Sequence, residues 1–358
     1  MSLENEREDK ALSAPGREAY LQGLGDLVAM RRKACDAARA EYITPEKLAK
    51  NPEAYRADFR ALVGWPLGGD SCADPPHAAL RGTVVETAEH VLERVRLQIM
   101  PELGLAGLLL TPKDGTARHK AVVFQHGGGG TPELCCDLHG ENNYRHGPVR
   151  FARHGFAVFM PQLLLWNQAK EDEPCHPGYG GTPYSRNQID AWLKQVDSSI
   201  ASVETHAVLR ALDWLETLPE IDASRGFGMA GLSYGGFYTL MAAAADTRIR
   251  ASYSICFFND LYRYAWPDFC WKGAGKRFLA AEIAALIAPR ALYVEVGAQD
   301  GVFEIDTALA EWERLTPFFA AQGASGRLRL NVVDTNHKMD ESDAGILFVK
   351  ERLESTFE

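Results

Sequence analysis

The chain has 358 residues, 46% of them hydrophobic and 24% charged, a balance that suits a globular protein with a sizeable core. Its formal net charge of −10 argues against nucleic acid or an anionic membrane as partner. The charged start, Met1 to Lys10, lacks the apolar core of a signal sequence, and no later stretch is apolar over the length of a bilayer, so a cytoplasmic protein is expected.

Residues 16–63 read as helical. Leu21, Leu24, Leu27, Val28 and Met30 recur at helical spacing, Thr44-Pro45-Glu46 has the form of a helix start, and Asn51-Pro52 breaks or restarts the helix. Residues 65–80 are rich in glycine, proline and aspartate and read as a linker. The expected organisation is an N-terminal helical arm with its linker over 1–80, packed on a single catalytic domain over 81–358. A homo-oligomer formed through the arm is a secondary reading.

From Gly82 to Thr111 the pattern turns strand-like, with Thr83-Val84-Val85, Val91 to Ile99 and Leu105 to Leu110 as an antiparallel opening to a sheet. Ala121 to Gln125 is a short, wholly apolar strand of parallel-sheet type, followed directly by His126-Gly127-Gly128-Gly129-Gly130. Strands at 156–160, 226–230, 251–256, 291–296 and 328–333 then alternate with helices, including a long one over 196–218. Such alternation implies an α/β fold, a mostly parallel central sheet flanked by helices. Residues 162–195, with Trp166 and many glycines and prolines, are too long for an ordinary connection and read as a pocket wall.

Gly231-Leu232-Ser233-Tyr234-Gly235-Gly236 carries the chemistry. It lies between a short apolar strand and a helix, as a nucleophile elbow does, where small neighbours permit the sharp turn. Enzymes with this elbow order their triad as serine, acid, histidine. Of the ten histidines only His337 follows Ser233, in a loop after the last strand. Between them, Asp300 follows the strand Ala291 to Val296 and is the candidate acid, whereas Glu295 lies within that strand and is placed to reach the loop less readily. The oxyanion donors are expected from Tyr234 and from the Gly127-Gly128 region, with His126 shaping the loop. Trp166, Tyr262, Trp266 and Trp271 are candidate pocket aromatics, although the aromatic cluster after the elbow equally suits a packed core. Seven cysteines at scattered spacings form no disulfide framework. Cys135, Cys136, Asp137, His139 and His146 match no zinc spacing, so neither a metal nor another cofactor is expected.

With these residues in place the chain resembles the acetylxylan-esterase-like and dienelactone-hydrolase-like branch of the α/β-hydrolases. The resemblance rests on Ile221 to Arg225, Gly228 to Gly236, Asp246 to Ala251, and Ile287 to Leu292 before Gly297 and Asp300, and runs from about residue 80 to the end. It implies an α/β-hydrolase fold, Ser233 as nucleophile, Asp300 as acid, His337 as base and a small ester, such as a sugar acetate, as substrate. At Pro161 to Trp166 the chain departs from relatives, which commonly carry an aspartate and a glycine-rich turn ending in arginine. A peptidase or amidase of prolyl-peptidase type, and a ligand receptor that has kept the fold, are the competing readings.

Overall fold

The computed structural model describes residues 3–69, 74–136, 138, 140–165 and 185–355. Helices α1 (Leu3–Tyr42), α2 (Pro45–Lys50) and α3 (Pro52–Val63) come first, then three strands, β1 (Ala78–Glu86), β2 (His90–Met100) and β3 (Leu103–Pro112). The remainder alternates: β4 (Ala121–Gln125), α4 (Pro132–Cys135), α5 (Gly147–Arg153), β5 (Ala157–Pro161), α6 (Arg186–Gln195), α7 (Ile200–Glu216), β6 (Phe227–Leu232), α8 (Tyr234–Ala245), β7 (Ile249–Ile255), α9 (Ala280–Ala285), β8 (Ala291–Gly297), α10 (Ile305–Ala320), β9 (Leu328–Val333) and α11 (Ala344–Glu354).

The nine strands form one sheet in the order β1-β2-β3-β5-β4-β6-β7-β8-β9. β1, β2, β3 and β5 pair antiparallel in turn, and β5-β4-β6-β7-β8-β9 pair parallel. Every residue of β4, β5, β6 and β8 is buried, as expected for apolar strands covered on both faces. Alternate side chains feed two cores: Val123, Phe159 and Met229 belong to one, Val122, Phe124, Val158 and Ala230 to the other. The chain leaves β4 outward to β5 and then crosses back to β6, so the carboxyl end of β4 is the switch point of the sheet. Crevices of this kind hold ligands in open α/β sheets.

The arm is anchored by its second half. Phe59 is fully buried and meets Phe278 edge-on at 5.6 Å. The Arg56 guanidinium donates to the Leu286 carbonyl at 2.8 Å, and that of Arg60 to Ala245 at 2.9 Å. The stretch read as linker is also tied down. The Trp65 amide donates to the Asp197 carbonyl at 3.0 Å, and β1 begins at Ala78.

One helix expected over 196–218 is shorter than its pattern. α7 starts at Ile200, because the Ser199 hydroxyl accepts the Ser202 amide at 3.1 Å and Asp197 sits at φ 56°. Serine and aspartate side chains compete with the helix for backbone groups and win at its first turn. α6 is not legible in the sequence, because the buried positions of that helix are charged, Arg186 and Asp190, and hide its period. Residues 166–184 of the expected pocket wall lie outside the described residues.

Candidate active site

Ser233 joins β6 to α8 with φ 86° and ψ −110°, a region that L-residues rarely adopt. Its amide donates to the Ile255 carbonyl at 2.8 Å, and its own carbonyl accepts the Phe237 amide at 2.9 Å. The flanking glycines are demanded by close approach. A Cβ on Gly231 would lie 2.5 Å from the Gly235 carbonyl, and one on Gly235 would lie 2.0 Å from the Gln125 oxygen. The serine is therefore held where the amide of Tyr234, the first residue of α8, has no partner within its own helix.

β4 and β6 run parallel with Gln125 opposite Gly231, so the glycine loop and the elbow leave the sheet side by side. A Cβ built on Gly127 would lie 3.2 Å from the Cβ of Ser233. The two expected oxyanion glycines differ. The Gly127 amide donates to the Tyr144 hydroxyl at 2.7 Å, so that N–H is already engaged and Gly127 acts as a spacer. The Gly128 amide has no acceptor among the described residues and remains the donor candidate from this loop. Tyr144 gave no sequence signal, because it lies in an irregular segment with no motif.

His126 is buried and shapes the loop. One ring nitrogen, Nδ1, is 2.9 Å from the Gly127 carbonyl and must carry the proton, while Nε2 accepts the Leu163 amide at 3.2 Å. Gln162 Nε2 also lies 3.2 Å from His126 Nε2, so the departure at Pro161 to Trp166 supplies a support for the oxyanion loop. Burial pushes the His126 pKa down to about 4, with a partial offset from the Gly127 carbonyl.

Asp300 follows β8, in the turn. Its Oδ1 accepts the amides of Val302 at 2.8 Å and Phe303 at 3.1 Å, and its Oδ2 lies 2.8 Å from His337 Nδ1. A carboxylate accepts, so Nδ1 carries the proton and Nε2 is left as the basic nitrogen of the neutral ring. The two loops are zipped: the Ala298 amide donates to Val333 at 2.8 Å and that of Gln299 to Thr335 at 3.0 Å.

The histidine loop is clamped from behind. Met339 donates its amide to Asn143 at 3.0 Å, and Arg145 and Arg150 donate to the carbonyls of Met339 and Asp340 at 2.9 and 2.8 Å. Glu295, although within β8, reaches this loop. One of its oxygens accepts the Asp340 amide at 2.8 Å and the other the Tyr253 hydroxyl at 2.5 Å. Burial pushes its pKa up to about 7, against the pull of those donors. It holds the loop and does not touch His337 itself in any hydrogen bond among the described residues.

The four pocket aromatics separate. Trp266 stacks on Tyr234 with ring centroids 5.6 Å apart and meets Phe303, whose ring is 5.9 Å from that of His337. Trp271 is buried in the core. Tyr262 lies under the Arg32 guanidinium of α1, 4.7 Å away, and so faces the arm. Trp166 lies outside the described residues, as do Asp137 and His139.

A buried charge network beneath the elbow had no sequence signature. Arg186 pairs with Asp268 at 2.7 Å and Glu204 at 2.8 Å, donates to the Tyr238 hydroxyl at 3.0 Å and to the Leu164 carbonyl, and lies 5.5 Å over the Tyr234 ring. Burial opposes its charge, but Glu204, Tyr238 and Asp268 more than offset it, so its pKa lies well above the ordinary value. One guanidinium thus ties α6, α7, α8, the Pro267–Phe269 turn and the segment after β5 into one wall.

Residues 196–324 match the sequence profile of the X-Pro dipeptidyl-peptidase (S15 family), over less than half of the chain. The Bacillus subtilis (strain 168) protein named “Putative hydrolase YtaP” is 24% identical over 257 residues, covering 69% of this chain and 82% of that one. Among solved structures, a “putative acetyl xylan esterase” from Bacteroides fragilis NCTC 9343 superposes with a TM-score of 0.63 at 17% identity, covering 82% of this chain and 77% of that one. A glucuronoyl esterase from Solibacter usitatus gives 0.58 at 16% identity, covering 85% and 92%. The chain has the α/β-hydrolase fold. Ser233, Asp300 and His337 follow the carboxyl ends of β6, β8 and β9 in the parallel part of the sheet.

Two outcomes follow from this geometry. Tyr144→Phe leaves the Gly127 amide buried without its acceptor, at a cost of roughly 1–3 kcal/mol. The loop then shifts against Ser233, and kcat for ester hydrolysis should fall about tenfold or more with KM little changed. The second concerns pH. The folded His126 pKa is below its unfolded value of about 6.5, so between the two the unfolded chain binds more protons. Its contribution is complete above about pH 6.5 and is lost as pH falls towards 4. Urea midpoints of His126→Asn should therefore fall less steeply than those of the wild type across that window.

Proposed function

We propose that this protein is a serine hydrolase of carboxylic esters. The observation that carries the reading is the strained Ser233 elbow set against the Gly127-Gly128 loop, with the His337–Asp300 pair on the adjoining strand ends. In this reading Ser233 Oγ attacks the ester carbonyl while His337 Nε2 takes its proton. The amides of Tyr234 and Gly128 hold the oxyanion. Asp300 keeps the ring in the required tautomer and stabilises the imidazolium. The imidazolium then protonates the leaving alcohol. Water, deprotonated by His337, cleaves the acyl-enzyme.

The substrate class proposed is a small acylated molecule, of which sugar acetates are an example, with Trp266 as an apolar wall. The superposed esterases support this choice by fold alone. The S15 match favours a second reading, an aminoacyl-amide substrate cleaved by the same residues. No helix among the described residues is long and apolar enough to cross a membrane.

Self-association through α1 is the partner reading we favour. Tyr20, Leu21, Leu24, Leu27 and Val28 form one helical stripe and are 39–72% exposed. With Leu12 and Met30 they present roughly 800 Å² of apolar surface, about what each side of a standard protein interface buries. A second copy supplies the same stripe and covers it by twofold symmetry.

Ser233→Ala should lower turnover of p-nitrophenyl acetate by at least about 10⁴-fold and abolish labelling by a fluorophosphonate probe. Retention of full activity would sink the mechanism, and absence of labelling in the folded wild type would favour the receptor reading. Parallel kcat/KM values on esters and aminoacyl amides decide between the two substrate classes. Light scattering should give twice the 39.5 kDa chain mass for the wild type and a single mass for Leu24→Glu/Leu27→Glu. A monomeric wild type would overturn the self-association reading.

A further inference from the structure

We propose that Cys256, Asp300 and His337 form an inhibitory site for one soft divalent cation, with zinc as its type. The proposal rests on the reading of His337 as catalytic base, and it concerns an inhibitor, not a cofactor. Hydrolysis uses Ser233, His337 and Asp300 in their free forms and assigns Cys256 no role.

Cys256 is placed against the histidine loop by the backbone. It follows β7 directly and takes φ 50°, with its amide donated to the Glu295 carbonyl at 2.8 Å. The thiol donates to the Lys338 carbonyl at 3.4 Å, one residue past His337. Ser233 meets the same strand end, its backbone N–H donating to the Ile255 carbonyl at 2.8 Å. One donor atom from each of Cys256, Asp300 and His337 lies within 4.8 Å of the other two.

Ligands around a tetrahedral zinc ion stand roughly 3.3–3.6 Å apart, given bond lengths of about 2.0–2.3 Å. Closing this site on an ion therefore takes side-chain movements of about 1 Å, with water as the fourth ligand. A thiolate, an imidazole and a carboxylate select zinc, cobalt or cadmium over magnesium or calcium, which prefer oxygen donors alone. The charges also balance. The thiol releases one proton to solvent, and the thiolate with the Asp300 carboxylate neutralises the dication. Glu295 is buried near Cys256, with both carboxylate oxygens already hydrogen-bonded, so it stays outside the ligand set.

Binding blocks the base whichever ring nitrogen is used. Coordination at Nε2 consumes the lone pair that takes the serine proton. Coordination at Nδ1 moves the ring proton to Nε2 and removes the Asp300 hydrogen bond. Either way Ser233 loses its proton acceptor.

The test uses full-length protein stripped with a chelator. Cobalt(II) is titrated while the thiolate-to-cobalt charge-transfer band is followed in the near ultraviolet, and zinc is titrated against ester turnover. Wild-type protein should bind one cobalt per chain with that band, and zinc should inhibit at micromolar concentration. Cys256→Ser should keep metal-free turnover within about twofold, lose the band and raise the zinc inhibition constant at least tenfold. Equal zinc inhibition in both proteins, or one-to-one cobalt binding without a thiolate band, would overturn the site. X-ray absorption at the zinc edge of the wild type decides the same point without a variant: one sulfur ligand supports the site and none overturns it. If metal-free protein hydrolyses no ester, the catalytic reading fails, while the cobalt spectrum still decides whether the site exists.

Discussion

The carbonyl oxygen of Gln125 stands so near Gly235 that any Cβ there would lie 2.0 Å from it. This backbone approach between the end of β4 and the first turn of α8 governs the layout of the site. It brings the glycine loop within contact of Ser233, and among the described residues the Tyr234 amide has no acceptor. Ser233, between β6 and α8, takes a backbone conformation that side chains avoid, which persists only because packing over-determines it. Parallel pairing of β6 with β7, β7 with β8 and β8 with β9 then carries the same edge out to Asp300 and His337. The layer of Ser233, Asp300 and His337 thus follows from strand order, and the loops clamped around it fix its detail.

Behind that layer stands a second, built from buried polar groups that do no chemistry. His126 stays neutral because burial disfavours its charge, and a neutral ring can both donate to Gly127 and accept from Leu163. Arg186 stays charged because two carboxylates and a phenol surround it. Glu295 lies between these cases, with a pKa raised to about 7 and both oxygens occupied. Each of these groups joins elements that are distant in the chain, and breaking one pair strands another charge or donor in the interior.

What could be read from the sequence was whatever rests on local constraint. The sharp turn at Ser233 was legible because its glycine neighbours are demanded by close backbone contacts, and the placement of Asp300 and His337 after β8 and β9 because the strands follow one another in chain order. The central strands were legible as short, mostly apolar runs. Tyr144, Glu204 and Asp268 were not, since each acts on a residue far away in sequence and sits in no pattern. α6 hid its period behind buried charges, and α7 lost its first turn to Ser199. Tyr262 shows the opposite failure: it belongs to an aromatic-rich segment but turns to α1. Gly127, expected as an oxyanion donor, lies beside Ser233, but its amide is taken by a hydroxyl that no motif announces.

The hydrogen bond from Arg186 to the Leu164 carbonyl also fixes how the chain enters and leaves the stretch between them. It fastens the chain on the near side of residues 166–184 to the chain on the far side, and Leu165 is held in turn by the Gly129 amide at 2.9 Å. The two attachment points are therefore fixed independently of what lies between them. Closing a longer stretch between fixed ends costs little, about 0.6 kcal/mol for each doubling of its length. Both ends of the segment are thus fixed, and a change in its length need not disturb the wall that Arg186 ties together.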